Sequence, residues 1–374
     1  MGGGTGGHIL PLLAVARSLK KFEQPSFDLV AIVDKYSDFS KPLENSADFN
    51  KIFYLSAGKF RRYPNQSILE TLTDLKTFVL NIRDGFRLIK GTLEAISILR
   101  KLKPNAIFIK GGFVGVPVGF AAKLLKIPFI THDSDASPGL ANRAVGKWAT
   151  WHTVGMETKF YNYPVSKMTQ VGIPVSDNFK TVSKKLQKVF KSQLKIPATS
   201  KLILVTGGSQ GSMNLNKILT MAIKDLTKNS EYYVIHQTGK GNFNKTNIKA
   251  SNYQQIEYIK DLYIYSGAAD VIITRAGSVI AEFAAQNKAL IVCPAPHLAD
   301  NHQLKNAKIL EDANAAIVLQ ENRLLNEPKL LEQEISNLLK SDSKCEILRN
   351  NLSNLYPKNA ANDIAKIIVK VINN

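Results

Sequence analysis

The alternation of short apolar strands with longer helical patterns constrains this fold most, and it restarts near residue 201. The runs that predict buried strands in the first half are 28–33, 106–110, 128–132 and 168–172. The runs that predict strands in the second half are 201–208, 232–239, 252–259, 270–277 and 289–294. Strands separated by helices are typical of parallel, doubly wound sheets. Because the pattern starts twice within 374 residues, we expect two α/β domains.

Two further stretches indicate a linker and a terminal helix. Residues 176–200 are basic and polar, which is typical of a linker that enters the second domain. Residues 360–372, with the sequence AANDIAKIIVKVI, have the apolar spacing of an amphipathic helix. The chain therefore has the elements of two domains and a helix after the second one.

The composition bounds the partners of the chain. A net charge of +19 favours polyanionic partners such as nucleic acid, an anionic membrane surface or phosphorylated substrates, and a solvated basic surface explains it equally well. No nucleic-acid motif accompanies the charge, so nucleic-acid binding is the least favoured reading. The two cysteines, Cys293 and Cys345, indicate no disulfide framework and fit a reducing compartment.

The glycine run GGGTGGH at the start matches a dinucleotide fingerprint. Gly2, Gly4 and Gly7 satisfy the spacing G-x-G-x-x-G, and Asp34 ends the next predicted strand, where a ribose-binding acid would lie. An NAD-type oxidoreductase is therefore one alternative. The fingerprint requires a strand before the glycines, and only Met1 precedes them.

Two more glycine clusters follow predicted strands. Gly207, Gly208, Ser209, Gly211 and Ser212 lie between a strand and a helix. Glycine allows close approach of the backbone and serine hydroxyls can donate to phosphate oxygens, so this loop predicts diphosphate binding over a plain turn. It lacks the lysine of a P-loop, which disfavours an ATPase. The other cluster is KGGFVGVPVG at 110–119.

Polar residues follow several strand ends. In the second half, Arg275 could neutralise phosphate and Glu282 could accept ribose hydroxyls, or it could be a solvated helix residue. His302, Gln303 and Asn306 have the donors and acceptors that bind sugar hydroxyls. In the first half, His132, Asp133 and Asp135 could form a metal site, but DASP is also good turn and helix-cap chemistry, which is favoured.

Eight motifs, in order along nearly the whole chain, resemble the MurG family of bacterial transferases. They are GGGTGGHILPLLAVA, AGKFRRY, KGGFVGVPVGFAA, THDSDASPGLANR, VGIPV, GGSQGSMNLN, TRAGSVIAEFAA and DNHQLKNA. The resemblance implies a GT-B fold, with two Rossmann-like doubly wound domains facing a cleft and a C-terminal helix that crosses back to the first domain. It implies an acceptor domain at 1–174, a donor domain at 175–356 and the crossing helix at 357–374.

The implied activity is inverting transfer of N-acetylglucosamine from UDP-N-acetylglucosamine to the muramyl C4 hydroxyl of undecaprenyl-linked lipid I, giving lipid II in peptidoglycan synthesis. No metal and no cofactor are expected. His8 is the first choice for the base, because an imidazole titrates near neutrality, and Asp133 is its rival. The implied donor-binding residues are Gly208, Ser209, Gly211, Asn216, Arg275, Glu282, His302 and Gln303. The implied acceptor-binding residues are Thr5, Gly6, Gly7, Gly111, Gly112, Phe113, His132, Asp135 and Asn142.

A membrane-bound acceptor predicts a peripheral enzyme at the cytoplasmic face of the bacterial membrane. Residues 57–110 are rich in basic side chains, including Lys59, Arg61 and Arg62, which suit an anionic surface. The apolar residues of this stretch are Phe78, Leu80, Ile82 and Phe86. They could contact the membrane or could be plain core.

Two further readings of the chain stay open. The sequence also fits a related GT-B enzyme with another lipid acceptor, such as diacylglycerol, and a degenerate binding protein. Relatives in the MurG family have an apolar strand directly before the opening glycines, so we expect that the first strand of the first domain is missing from this sequence.

Overall fold

The fold is that of a computed structural model, which describes residues 1–2, 6–23, 26–36, 40–58, 75–243, 248–296, 298–327 and 329–373. The chain divides into two compact units. The first comprises Met1–Ser176 together with Pro357–Asn374, and the second comprises Asp177–Tyr356.

The first unit alternates strands and helices. Its strands are β1 (Val30–Asp34), β2 (Lys51–Leu55), β3 (Ile107–Ile109), β4 (Phe129–Asp133), β5 (Trp151–Val154) and β6 (Met168–Gln170). Its helices before residue 176 are α1 (Gly6–Lys20), α2 (Lys41–Glu44), α3 (Leu75–Leu102), α4 (Gly115–Leu125) and α5 (Leu140–Val145). All of its strand pairs are parallel, because helices connect most successive strands.

The described strands of the first unit form two sheets. One has the order β1-β2 and the other the order β3-β4-β5-β6. Met1 lies beside β3, since its amino group donates to the Phe108 carbonyl at 2.6 Å and the Lys110 amide donates to the Met1 carbonyl at 3.0 Å. The Met1 side chain belongs to the apolar core that α3, α4 and the strands enclose.

The second unit holds one larger sheet. Its strands are β7 (Lys201–Thr206), β8 (Tyr232–Gln237), β9 (Tyr253–Ile256), β10 (Val271–Thr274), β11 (Ala289–Val292) and β12 (Ile317–Val318). Its helices are α6 (Lys184–Gln193), α7 (Met213–Lys228), α8 (Leu262–Ala268), α9 (Val279–Ala285), α10 (His302–Asp312), α11 (Glu321–Asn326), α12 (Lys329–Leu339) and α13 (Asp342–Leu355).

The six strands are parallel and have the order β12-β11-β10-β7-β8-β9. The order reverses between β7 and β10, because the chain first adds strands on one side of β7 and then on the other. In open α/β sheets ligands bind outside the carboxyl ends of the strands at this switch point. The expected α/β fold of two doubly wound domains is confirmed.

The last helix, α14 (Ala360–Asn373), returns to the first unit. Its buried residues Ile364, Ala365 and Ile368 share an apolar cluster with Val15 and Leu19 of α1. The amphipathic pattern of this segment therefore buries one stripe on the first unit, as the resemblance implied.

The strand and linker predictions differ from the structure at four places. The strands β2, β5 and β12 were not predicted, and α6 lies inside the stretch that the sequence indicated as a linker. Ser183 caps α6, since its hydroxyl accepts from the Leu186 amide at 3.2 Å. Among the described residues, no helix is both long and apolar enough to cross a membrane.

Candidate functional site

The glycine loop after β7 lies at the switch point of the second unit. Gly208 and Gly211 have positive φ of 84° and 72°, a conformation that favours glycine. A Cβ on Gly211 would lie 2.3 Å from the Thr238 carbonyl oxygen, so this residue must be small where the loop meets the chain after β8. Within the described residues, a Cβ on Gly208 would meet nothing within 4 Å. There is therefore open space beside the Gly208 Cα, although its N–H donates to the Thr206 hydroxyl at 3.1 Å and its carbonyl accepts from the Gly211 amide at 3.0 Å.

A series of hydrogen-bonded side chains supports this loop from inside the second unit. Asn216 donates to the Thr238 carbonyl at 2.8 Å, so its Oδ1 is the acceptor for His236 Nε2 at 2.9 Å. His236 Nδ1 then accepts from the Tyr253 hydroxyl at 3.0 Å. The ring is neutral, and burial lowers the pKa of His236 to about 4. The structure thus gives Asn216, a predicted donor-binding residue, a role in supporting the loop.

Arg275 follows β10, and its side chain is buried in the second unit. Its guanidinium is 9% exposed and forms an ion pair with Glu321, whose side chain is 1% exposed. It also donates to the Ser212 hydroxyl, from Nε at 3.1 Å and from Nη2, and to the Cys293 carbonyl at 2.9 Å. Asn214 donates to the other carboxylate oxygen of Glu321 at 2.9 Å. One guanidinium therefore ties together the chain after β7, β10 and β11.

The other predicted donor-side residues lie on α9 and α10. Glu282 is half-buried on α9, and burial raises its pKa to about 8. The Gln303 side chain accepts from the Ala295 amide at 2.9 Å, and Asn306 donates to the Ala276 carbonyl at 2.9 Å. These two amides fix the loops after β11 and β10. His302 begins α10, directly after two residues with positive φ.

In the first unit, His8 packs against the glycine pair after β3. Gly111 has a φ of 107°, and a Cβ there would lie 3.6 Å from His8 Nε2 and 3.7 Å from Asn142 Nδ2. The imidazole, the glycine backbone and the amide of Asn142 thus meet at one point. Burial and the positive charge of Lys110 lower the pKa of His8 to about 3, so the expectation that this imidazole titrates near neutrality is wrong, and the ring is neutral at pH 7.

The carboxylate of Asp133 is anchored by three donors. It accepts from the Gly139 amide at 2.8 Å, from Asn142 Nδ2 at 2.9 Å and from the Tyr163 hydroxyl at 2.9 Å. Burial is the largest influence on its pKa, which is raised. This arrangement orders the turn between β4 and α5. A role as catalytic base, for which Asp133 is the rival of His8, stays a prediction.

Asn142 is a buried residue that holds the end of β4. Its Nδ2 donates to the His132 carbonyl and to Asp133, both at 2.9 Å. Within the part of the chain that the structure describes, its Oδ1 is buried without a hydrogen-bond partner. Buried polar atoms normally have a partner. The Asn142 atom near Gly111 is Nδ2, so Asn142 shapes this place through the hydrogen bonds that Nδ2 donates.

Lys110 is a buried residue of this site that the sequence reasoning missed. Its ammonium donates to the Ser134 hydroxyl at 2.9 Å, and burial lowers its pKa to about 8. Ser134 lies 3.4 Å from His132 Nε2, and His132 Nδ1 lies 3.0 Å from the Thr153 hydroxyl. His132 is fully buried in this network. The signal in the sequence was a lysine placed directly before two glycines that follow a strand.

The remaining predicted residues fall into two groups. Gly6 and Gly7 begin α1, Gly112 has a positive φ of 78°, and Phe113 packs partly buried on the core. Thr5, Lys59, Arg61 and Arg62 lie outside the described residues, as does the side chain of Phe78. Across the described ranges, no group of three or more histidine, cysteine or acidic side chains could hold a metal ion.

Both halves of the chain match one enzyme family. Residues 1–154 match the glycosyltransferase family 28 N-terminal domain, and residues 202–368 match the glycosyltransferase family 28 C-terminal domain. Two similar proteins are the UDP-N-acetylglucosamine–N-acetylmuramyl-(pentapeptide) pyrophosphoryl-undecaprenol N-acetylglucosamine transferases of Clostridium botulinum and Acetivibrio thermocellus. The first is 34% identical over 99% of this chain and 97% of its own length. The second is 30% identical over 100% of this chain and 97% of its own length.

Solved structures share the fold. MurG from Acinetobacter baumannii matches with a TM-score of 0.70 and 23% identity, over 98% of each chain. S. aureus MnaA in complex with UDP matches with a TM-score of 0.68 and 12% identity, over 100% of this chain and 97% of that one. At these identities the structures show a common architecture.

Proposed function

The chain belongs to the MurG family of glycosyltransferases, and we propose that it moves N-acetylglucosamine from UDP-N-acetylglucosamine to lipid I, giving lipid II. The observation that carries this proposal is the pairing, in one chain, of an open glycine loop at a sheet switch point with a separate imidazole–glycine–amide cluster. The first suits a nucleotide diphosphate, and the second suits a hydroxyl that must lose a proton.

The donor side would bind the diphosphate through backbone and hydroxyl groups. The open space beside Gly208 would admit the phosphates, and the N-terminus of α7 gives N–H groups and a positive dipole end, which stabilise phosphate charge. The same groups would stabilise the charge that develops on departing UDP. Glu282, with a raised pKa, is our candidate for the ribose contact, and His302 and Gln303 are candidates for the sugar.

The acceptor side would place the sugar hydroxyl between His8 and Asn142. The hydroxyl can donate to the neutral imidazole, while Asn142 fixes the neighbouring end of β4 through its hydrogen bonds to the His132 carbonyl and Asp133. His8 then takes the proton as the hydroxyl oxygen attacks the anomeric carbon and the bond to UDP breaks. The backbone N–H groups of Gly111 and Gly112 lie next to this point and are candidates for the acceptor diphosphate.

Radiolabelled UDP-N-acetylglucosamine transfer to a short-chain lipid I analogue tests this function. We expect labelled product in the presence and in the absence of a chelator. A parallel reaction with UDP-glucose and diacylglycerol separates the related glycosyltransferase alternative. Transfer to diacylglycerol with none to the lipid I analogue would overturn the proposed acceptor, and a failure of UDP-N-acetylglucosamine to bind would overturn the donor.

We also propose that α3 docks on the cytoplasmic face of an anionic bacterial membrane. Its exposed apolar residues recur at intervals of three and four: Val79, Ile82, Phe86, Ile89 and Leu93. Phe86 is 70% exposed and Leu93 is 63% exposed. Arg83 and Lys90 lie along the same helix and are exposed. An apolar stripe with basic neighbours inserts into the headgroup boundary and attracts anionic lipid.

Liposome flotation tests this docking. The triple variant Phe86→Ser, Ile89→Ser and Leu93→Ser should lose binding to anionic vesicles at low salt while it retains transfer to a water-soluble acceptor. Val189→Ser, which changes an exposed apolar residue of the second unit, is the matched control. Equal flotation of the triple variant and the wild type would exclude α3 as the docking surface.

A further inference from the structure

The hydroxyl of Ser212 has one hydrogen-bonding direction left for a ligand. Ser212 caps α7, and its oxygen accepts from the Leu215 amide at 3.3 Å. The same oxygen accepts from the guanidinium of Arg275. A serine hydroxyl has two lone pairs and one proton. With both lone pairs engaged, the hydroxyl is set to act as a donor.

The donor state of Ser212 depends on where Arg275 is held. Glu321 neutralises the guanidinium, Asn214 donates to the far oxygen of that carboxylate, and the Cys293 carbonyl accepts from Nη1 of Arg275. Both charged side chains are nearly inaccessible. A buried ion pair is weak evidence for stability, because desolvation offsets much of the attraction. The Arg275–Glu321 pair is therefore better explained by the group that it positions, which is the Ser212 hydroxyl.

We propose that Glu321 is a positioning residue for the nucleotide-sugar site: through Arg275 it presents the Ser212 hydroxyl as a hydrogen-bond donor to the diphosphate. This inference rests on the proposed donor and extends it, because Arg275 acts on the diphosphate through Ser212 and not by direct contact. Ser212 is partly exposed at the end of the open glycine loop, where the ligand would lie. Glu321 is remote in sequence, on α11.

Binding of UDP-N-acetylglucosamine, measured by calorimetry without acceptor, tests the inference. A hydrogen bond to a charged group changes affinity by about tenfold to a hundredfold, so Ser212→Ala should weaken binding by at least about tenfold. Glu321→Gln should weaken binding about as much, and the double variant should be no weaker than Ser212→Ala alone. Non-additivity is expected because the two residues act on one hydrogen bond. Glu327→Gln, on the exposed side of the same region, is the matched control.

A second variant separates positioning from folding. Arg275→Met combined with Glu321→Leu replaces the buried pair by apolar side chains, which should restore the melting temperature. We expect this protein to melt like the wild type and still bind UDP-N-acetylglucosamine about tenfold more weakly, with the acceptor KM unchanged. Wild-type affinity in this protein, or additive losses in the cycle, would overturn the inference. Wild-type protein that does not bind UDP-N-acetylglucosamine would overturn the proposed function instead.

Discussion

The pH dependence of transfer follows from the environment of His8. Burial and the charge of Lys110 lower the pKa of its imidazole to about 3 in the free enzyme. At about pH 5.5 an ordinary imidazole is only about 9% neutral, whereas one with a pKa of about 3 is more than about 99% neutral. Because kcat/KM reports the free enzyme, lowering the pH from about 7.5 to about 5.5 should reduce kcat/KM for the acceptor less than about twofold. An unshifted histidine base would give a fall of about tenfold.

The assay measures initial rates with a water-soluble lipid I analogue far below its KM. His8→Ala should lose about a hundredfold or more at every pH, as expected for removal of a general base. A flat profile together with a small loss in His8→Ala would refute the role of His8. A limb near pH 6.5 in the wild type that is absent from His8→Ala would refute the lowered pKa.

Lys110 supplies a second test of the same reasoning. Lys110→Met removes the ammonium and keeps the length of the side chain, so the pKa of His8 should rise and the acid limb should move to higher pH. Lys123→Met, at an exposed position on α4, is the control and should leave the limb in place. An unmoved limb in Lys110→Met would show that this charge does not act on the imidazole.

Two predictions concern the stability of the folded units, one at Gly119 in the first unit and one at His236 in the second. Gly119→Ala would bring a Cβ to 2.7 Å from Val145 and should destabilise the first unit by about 1–3 kcal/mol. Gly85→Ala meets nothing within 4 Å among the described residues and should be neutral or stabilising. The fluorescence of Trp148 and Trp151 during urea unfolding measures both variants, and equal midpoints would contradict the clash. Burial lowers the pKa of His236 to about 4, so below about pH 6.5 the unfolded chain binds a proton that the folded ring does not. The free energy of unfolding therefore falls as the pH falls towards 4, and the loss at pH 5 is about 2 kcal/mol. His236→Gln should remove this loss when the free energy of unfolding is measured against pH by far-UV circular dichroism in urea. If the free energy of unfolding of the variant falls with pH as steeply as that of the wild type, the His236 ring does not titrate on unfolding.

The elements that the sequence predicted are those whose signal is local. Buried parallel strands such as β7 and β10 are continuous apolar runs, because both of their faces are covered. Strand β2 has such a run at 52–55, which the sequence reasoning overlooked, whereas the missed strands β5 and β12 lack one. Strand β5 contains His152 and Thr153, and each of these side chains makes a buried hydrogen bond to a residue of β4. Strand β12 has only two residues, too few for any periodicity. Their strand character comes from neighbours that are distant in the chain.

The glycine loops were predictable for the same reason. A run such as GGSQGS carries its own conformational information, since positive φ is open to glycine and the strand before it fixes the start. The burial of Arg275, Glu321 and Lys110 carries no such signal. The motifs pointed to Arg275, and Lys110 precedes a glycine pair, but charged residues are almost always exposed, so the sequence did not predict that these side chains are buried and paired. Their burial depends on partners that only the folded sheet brings together.

The structure divides the motif residues into those that build the site and those left to meet a ligand. Asp133 and Asn216 have the chemistry of ligand contacts, yet their polar atoms bind their own unit. Among the motif groups that the structure describes, the Oδ1 of Asn142 has no hydrogen-bond partner, and the Ser212 hydroxyl acts only as an acceptor. Replacing Asp133 or Asn216 should therefore change the geometry of the site, and both the stability of the protein and its affinity for the ligand should fall. Ser212 serves in both ways, because its hydroxyl caps α7 and still has a proton to donate, so Ser212→Ala should weaken binding together with a loss of about 1 kcal/mol in stability.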